Sequence, residues 1–243
     1  MSKVIDQEKV KEEKKKNKKL LVIAIVVAAV VLLTIAALFT ARLTSDFDAQ
    51  AYTRASLDHT FRGETKELLS IVEGVTEEEL KTQYEEGVAT FVEKNITSGI
   101  AMDAALQDKF YALGKQIFAS MKYEVKEAER VNAKEYRVPV EYQAVDVFDD
   151  FPEVVSQEYT KVMGKADKGE YQGSRDEIKA YMEMEFLNNC YTALEGMVQQ
   201  MSYAEPETMV FTVKKGEDGI FALDGTEIYE FIQKIINLGE IQD

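Results

Sequence analysis

From Tyr123 to Phe148 the chain reads "YEVKEAERVNAKEYRVPVEYQAVDVF", and its hydrophobic period differs from that of everything before it. Tyr136, Val138, Val140, Tyr142 and Ala144 alternate with Arg137, Pro139, Glu141 and Gln143, the period of two that gives a strand one buried face. With "YEVKEAERV" before it and "NAKE" between, the stretch predicts a hairpin. Pro139 supplies no ladder donor, so an edge or a bulge is expected beside it.

Upstream the period is helical. Asp48 is placed to cap "AQAYTRASLDHTFRG", with Ala51, Ala55, Leu57 and Phe61 mostly on one face and Gly63 as terminator. A short helix follows in "TKELLSIVEG". Thr76 stands three residues before Glu79, a capping box, and opens a helix to about Lys94 on Leu80, Tyr84, Val88 and Phe91. Another runs from about Met102 to Ser120 on Leu106, Phe110, Leu113, Ile117 and Phe118.

Downstream, "EVVSQEYTKVMGK" is helical, and a second capping box of Ser174 and Glu177 opens "SRDEIKAYMEMEFLNNCYTALEGMVQQM". Its stripe of Ile178, Met182, Phe186, Cys190, Ala193 and Met197 reads as core. "ETMVFTVKK", "GEDG" and "IFAL" predict a second hairpin, and "TEIYEFIQKIINL" a closing helix with Ile228, Phe231, Ile232 and Ile235 inward. About four strands and seven helices, grouped in this order, imply an α+β domain with an antiparallel sheet packed on helices.

The succession "AYTRASLDHTFRGE", "TEEEL", "YEVKEAERVNAKEYRVPVEYQAVDVF" and "VFTVKKGEDGIFAL" resembles extracytoplasmic proteins of unknown function from Gram-positive, clostridia-like bacteria. These are similar to the cystatin-like and nuclear-transport-factor-like cone folds, in which a curved sheet wraps a helix. The resemblance covers about Asp48 to Leu238 and brings no catalytic residues with it. Many such relatives are lipoproteins, whereas here the only cysteine is Cys190 and none ends the apolar run near the N-terminus.

That run, Leu20 to Ala41, carries no charge. As a helix of about 22 residues it spans roughly 33 Å, the thickness of a bilayer's hydrocarbon core. Eight lysines precede it, and Arg42 and then the acidic "SDFDAQ" follow, so the positive-inside bias places the N-terminus in the cytoplasm. A cleaved signal peptide is the competing reading, but the basic region is long for one and the apolar region exceeds its usual length. The expected organisation is a cytoplasmic tail over 1–19, a transmembrane helix over 20–41, a linker over 42–47 and an extracytoplasmic α+β domain over 48–243. The expected location is the cell membrane, single-pass.

The first 19 residues hold 8 of the 29 basic and 4 of the 44 acidic side chains, leaving about −19 on the remainder. That charge argues against nucleic acid as a partner and repels anionic headgroups. One cysteine precludes an internal disulfide, so packing alone must stabilise the domain. The sequon at Asn95 reads as chance.

Candidate chemistry is sparse. His59 is the only histidine, which excludes sites needing two, and a helical histidine turned to solvent is the expected reading. Cys190 reads as a small buried hydrophobe rather than a nucleophile. No Walker loop, dinucleotide fingerprint or nucleophile elbow is present. Glu77, Glu78 and Glu79 open a helix where negative charge is favourable, and Glu85, Glu86, Glu183 and Glu185 read as solvated faces. Asp146, Asp149 and Asp150 form the densest acidic loop, read as helix capping by Asp149 or Asp150 rather than a calcium loop. Tyr136, Tyr142, Tyr181, Met182 and Met184 are core, or else line the mouth of a cone-shaped cavity.

No catalytic, cofactor-binding or metal residue is assigned, and no cofactor is expected. The expected function is a non-catalytic module binding an envelope protein or a small ligand, with the membrane engaged through the N-terminal helix. The rivals are a cone-fold hydrolase or isomerase using cavity carboxylates and tyrosines, and a structural spacer.

Overall fold

The computed structural model describes residues 47–217 and 219–237. The expected tail, the membrane span over 20–41 and all of the linker but Phe47 lie outside the described residues. Among the described residues no helix is long and apolar enough to cross a membrane.

Four helices lead: α1 (Ala49–Arg62), α2 (Lys66–Ile71), α3 (Glu77–Asn95) and α4 (Ala104–Ala119). Their ends form as the sequence dictates. Asp48 accepts from the Ala51 amide at 2.9 Å, and Gly63 closes α1 in the left-handed region at φ 67°. A Cβ there would stand 2.8 Å from the Tyr84 ring, so glycine meets both the conformation and the close approach. The Thr76–Glu79 capping box is formed at the start of α3.

The strands are β1 (Lys122–Val125), β2 (Glu129–Asn132), β3 (Glu135–Gln143), β4 (Glu207–Lys215) and β5 (Phe221–Leu223), all paired antiparallel in the order β1-β3-β4-β5, with β2 also on β3. The stretch "YEVKEAERV" is therefore two strands along one side of β3. Pro139 sits at the break between them: Val140 pairs with Val125, Arg137 pairs with Glu129, and the Lys126 amide donates to the Pro139 carbonyl at 2.9 Å. The irregularity expected at Pro139 is real. The edge is not, because β3 is an interior strand with β4 on its other side. Proline is tolerated because the neighbouring strand is interrupted where its missing donor would fall.

Helix α7 (Gly225–Ile236) and α1 cover the inward face of the sheet. Phe231, fully buried, meets Tyr142 and Phe211 at ring-centroid distances of 5.2 Å each and Phe61 at 6.1 Å. Full burial of such a ring stabilises by about 1.5–3 kcal/mol, before the tilted ring contacts add to it. One continuous cluster of buried side chains runs from Ala49 to Ile236. Phe47, in the expected linker, stacks on Phe221 at 4.3 Å. The result is an antiparallel sheet packed on helices, the α+β arrangement the periodicities imply.

The remaining pair, α5 (Phe151–Asp167) and α6 (Arg175–Gln200), forms an antiparallel helical hairpin. Its base is anchored: Phe148 meets Phe91 at 5.9 Å, and Tyr191 meets Phe110 at 5.4 Å. The rest is not. All four buried residues of α6, Leu187, Cys190, Leu194 and Val198, lie from its midpoint onward, and α5 buries only Phe151 and Val162. Over Arg175–Met182 no residue of the helix is buried, and Met184 and Phe186 are only partly buried where the helix reaches the core.

Candidate functional site

The N-terminal part of the α6 apolar stripe lines a cleft. Tyr159, Val162 and Met163 from α5 face Ile178, Met182 and Phe186 from α6 around a cavity of about 480 Å³. Ile100, from the loop between α3 and α4, closes one side. Spacings of three and four residues put each set on one face of its helix. Tyr159 is 58% exposed, far more than a core ring of its size. At the mouth, Arg175 and Lys179 balance Asp176 and Glu183, with Lys179 paired to Glu183 at 3.5 Å.

Polar links hold the two helices together beside the cleft. Glu185 accepts from Lys165 at 2.5 Å and from the Tyr171 hydroxyl at 2.9 Å, and Asn189 donates to Glu158 at 3.0 Å. The Lys165 contact first, then Tyr171, holds the Glu185 carboxyl below its ordinary range. Such partly exposed contacts are each worth no more than about 1 kcal/mol, so they fix geometry more than stability. Glu183 and Glu185, expected as solvated faces, are thus a cleft-lining group and an inter-helix link.

A second cavity, of about 320 Å³, is also lined by Ile100 and lies between the end of α3 and the start of α4. Glu93, Gln107 and Tyr111 line it as a chain: Gln107 donates to the Tyr111 hydroxyl at 2.7 Å, and that hydroxyl donates to Glu93 Oε1 at 2.9 Å. The loop carrying Ile100 turns through Ser98 and Gly99, both at positive φ, 51° and 68°.

The residues singled out by sequence are dispersed. His59 is buried, not exposed: it is 1% exposed, and its Nε2 lies 2.9 Å from the Leu80 carbonyl. The correction follows from α1 being enclosed by helices on one side and the sheet on the other. Its polar Thr53 and Ser56 are buried too and donate back to the Ala49 and Tyr52 carbonyls, each at 2.8 Å. Burial lowers the His59 pKa. Cys190 is the buried hydrophobe expected, its thiol pushed up to about 11 by burial first and by Glu158 second.

In the acidic loop, Asp146 accepts from the Ser202 amide at 2.9 Å and from its hydroxyl, and Asn237 donates to Asp149 at 2.5 Å. Asp150 holds the N-cap position of α5 but its side chain makes no capping bond, so the expected capping role is filled by neither Asp149 nor Asp150. The loop instead ties the base of α5 to the segment after α6 and to the end of α7. Among the described residues no group of three or more His, Cys, Asp and Glu is placed to hold a metal ion.

Nor do the five tyrosines and methionines proposed for a cavity mouth converge. Tyr136 packs beside Phe47 and Phe221, and Tyr142 lies under α7 with its hydroxyl on Glu207 at 2.9 Å. Met184 packs against the core, and Tyr181 is 56% exposed. Only Met182 lines the cleft. Sequence reasoning passed over Tyr159, Met163, Ile178 and Phe186 as site residues, although their helical spacing was visible.

Fold and site together describe an α+β domain bearing a helical hairpin with an apolar, half-open cleft. No family model matches the chain, and no curated protein matches it. Among solved structures it is similar to ycdA of Bacillus subtilis, described as a candidate lipoprotein, at 16% identity and a TM-score of 0.49. The match covers 78% of this chain and 56% of that one, so the chain spans little more than half of that protein's length. A likeness of this degree says nothing of activity or binding.

Proposed function

We propose that the protein is a single-pass, membrane-anchored, extracytoplasmic binding module of a Gram-positive cell envelope. It holds a ligand in the cleft between α5 and α6 and catalyses no reaction. The observation that carries the ligand reading is the cleft itself, a cavity of about 480 Å³ between the two helices, lined by Met163, Met182 and Phe186, which are only partly buried. Apolar concavities of roughly 300–1,000 Å³ with few polar groups are the usual form of small-molecule sites. The anchor and its orientation rest on the uncharged run from Leu20 to Ala41 behind eight lysines.

A cone-fold enzyme would need a cavity between sheet and helix. Fully buried Tyr52, Phe61, Phe211 and Phe231 occupy that space, which favours the non-catalytic reading. A photo-crosslinking residue at position 182 in intact cells tests the proposal. Capture of a discrete envelope component, with none from a probe at exposed Val210 on the open face of the sheet, is the expected result. Equal labelling from both positions contradicts it.

A further inference from the structure

We propose that the cleft and the smaller cavity also lined by Ile100 are two halves of one site, and that its ligand is an amphiphilic amine. The apolar body lies between α5 and α6, and the protonated nitrogen lies at Glu93. This rests on the cleft being a ligand site, as proposed above, and adds the chemical class of what occupies it.

Three observations lead there. The two cavities share Ile100 as a wall, so a ligand lying along the groove passes over one side chain from the first to the second. The larger cavity offers no charge preference, because two basic and two acidic side chains stand at its mouth. The smaller one does: among its lining residues only Glu93 carries a charge, and that charge is negative.

The hydrogen-bond chain sharpens the preference. Tyr111 donates its proton to Glu93 Oε1 and Gln107 donates its amide N–H to Tyr111, which leaves Glu93 Oε2 and the Gln107 carbonyl as acceptors. An ammonium has three donors and no acceptor, and it matches such a pair where a carboxylate or phosphate does not. The excess of acidic over basic residues beyond position 19 extends the attraction for cations beyond the site.

The test uses the full chain in lipid nanodiscs and three probes of equal chain length, nonylamine, nonanol and nonanoate, titrated calorimetrically at pH 7 with heats from empty nanodiscs subtracted. Nonylamine is expected to bind about tenfold more tightly than nonanol, as one charge-assisted hydrogen bond implies, with nonanoate weakest. Glu93→Gln is expected to bring nonylamine to within about twofold of nonanol, and Met182→Arg to weaken all three. Equal binding of amine and alcohol to the unaltered chain, or an amine preference that survives Glu93→Gln, overturns the inference while leaving the cleft as a ligand site. If no probe binds, or if Met182→Arg changes nothing, the cleft reading fails and the inference fails with it.

Discussion

The Tyr123 hydroxyl donates to Asp58 Oδ1 at 2.7 Å, joining β1 to α1 across 65 residues of chain. Arg62 closes the arrangement, pairing with the same carboxylate while its guanidinium lies 4.7 Å over the Tyr123 ring. Burial first, and then the Asp58 acceptor, raises the Tyr123 pKa, so the phenol stays a donor through the physiological range.

Tyr123→Phe keeps the ring and its stacking but withdraws the donor from a carboxylate that is 14% exposed. A loss of about 1–2 kcal/mol is expected in urea denaturation. Tyr111→Phe, which withdraws a donor from exposed Glu93, should cost less than about 0.5 kcal/mol. Equal costs for the two would contradict the assignment of Tyr123–Asp58 as the structural contact.

His59 makes folding pH-dependent in a definite direction. Burial lowers its pKa from the usual 6.5, and the bond to Leu80 offsets that only in part. The unfolded chain therefore takes up the proton more readily than the folded one, so this contribution is complete above about pH 6.5 and is lost as the pH falls through the folded-state value. As the sole histidine, its imidazole resonances are unambiguous, and their titration midpoint is expected below 6.5. A midpoint at or above 6.5 would contradict the burial.

Two helical glycines should respond to alanine with opposite signs. A Cβ on Gly114 of α4 would stand 2.7 Å from Val92 Cγ2 on α3, and Gly114→Ala is expected to destabilise by about 1–3 kcal/mol. Val92→Ala in the same chain should recover part of that loss, since the two sites touch. Gly164 in α5 meets nothing within 4 Å, and Gly164→Ala should stabilise by about 0.5–1 kcal/mol through backbone entropy. Melting curves of the two variants check the pair, and a shift of the same sign in both would refute the close packing at Gly114.

Local signals carried most of the fold. Asp48, Thr76–Glu79 and Ser174–Glu177 cap the helices they were expected to cap, because a cap depends on residues three apart and on little else. The hairpin at "NAKE" formed for the same reason. The pairing of Tyr136 with Val213 was not legible, since strand partners so distant in sequence are chosen by the whole core. Periodicity likewise showed which face of α6 is apolar and not what covers it. Of the expected stripe only Cys190 is buried, and Leu187, Leu194 and Val198, outside it, are the other buried residues of the helix, while Ile178, Met182 and Phe186 form a wall of the cleft. His59 was misjudged because its neighbours in sequence are polar, whereas its neighbours in space are two layers of packed structure.

The most direct measurement of the central claim is methyl NMR on the full chain carrying ¹³C-methyl methionine. Of its nine methionines, Met163 and Met182 line the cleft and Met121 is 2% exposed in the core. An extract of envelope lipids and metabolites is expected to shift the Met163 and Met182 resonances in a saturable way and to leave Met121 unmoved. If Met163 and Met182 stay in place while the protein remains folded, the cleft is not a ligand site and the account is contradicted.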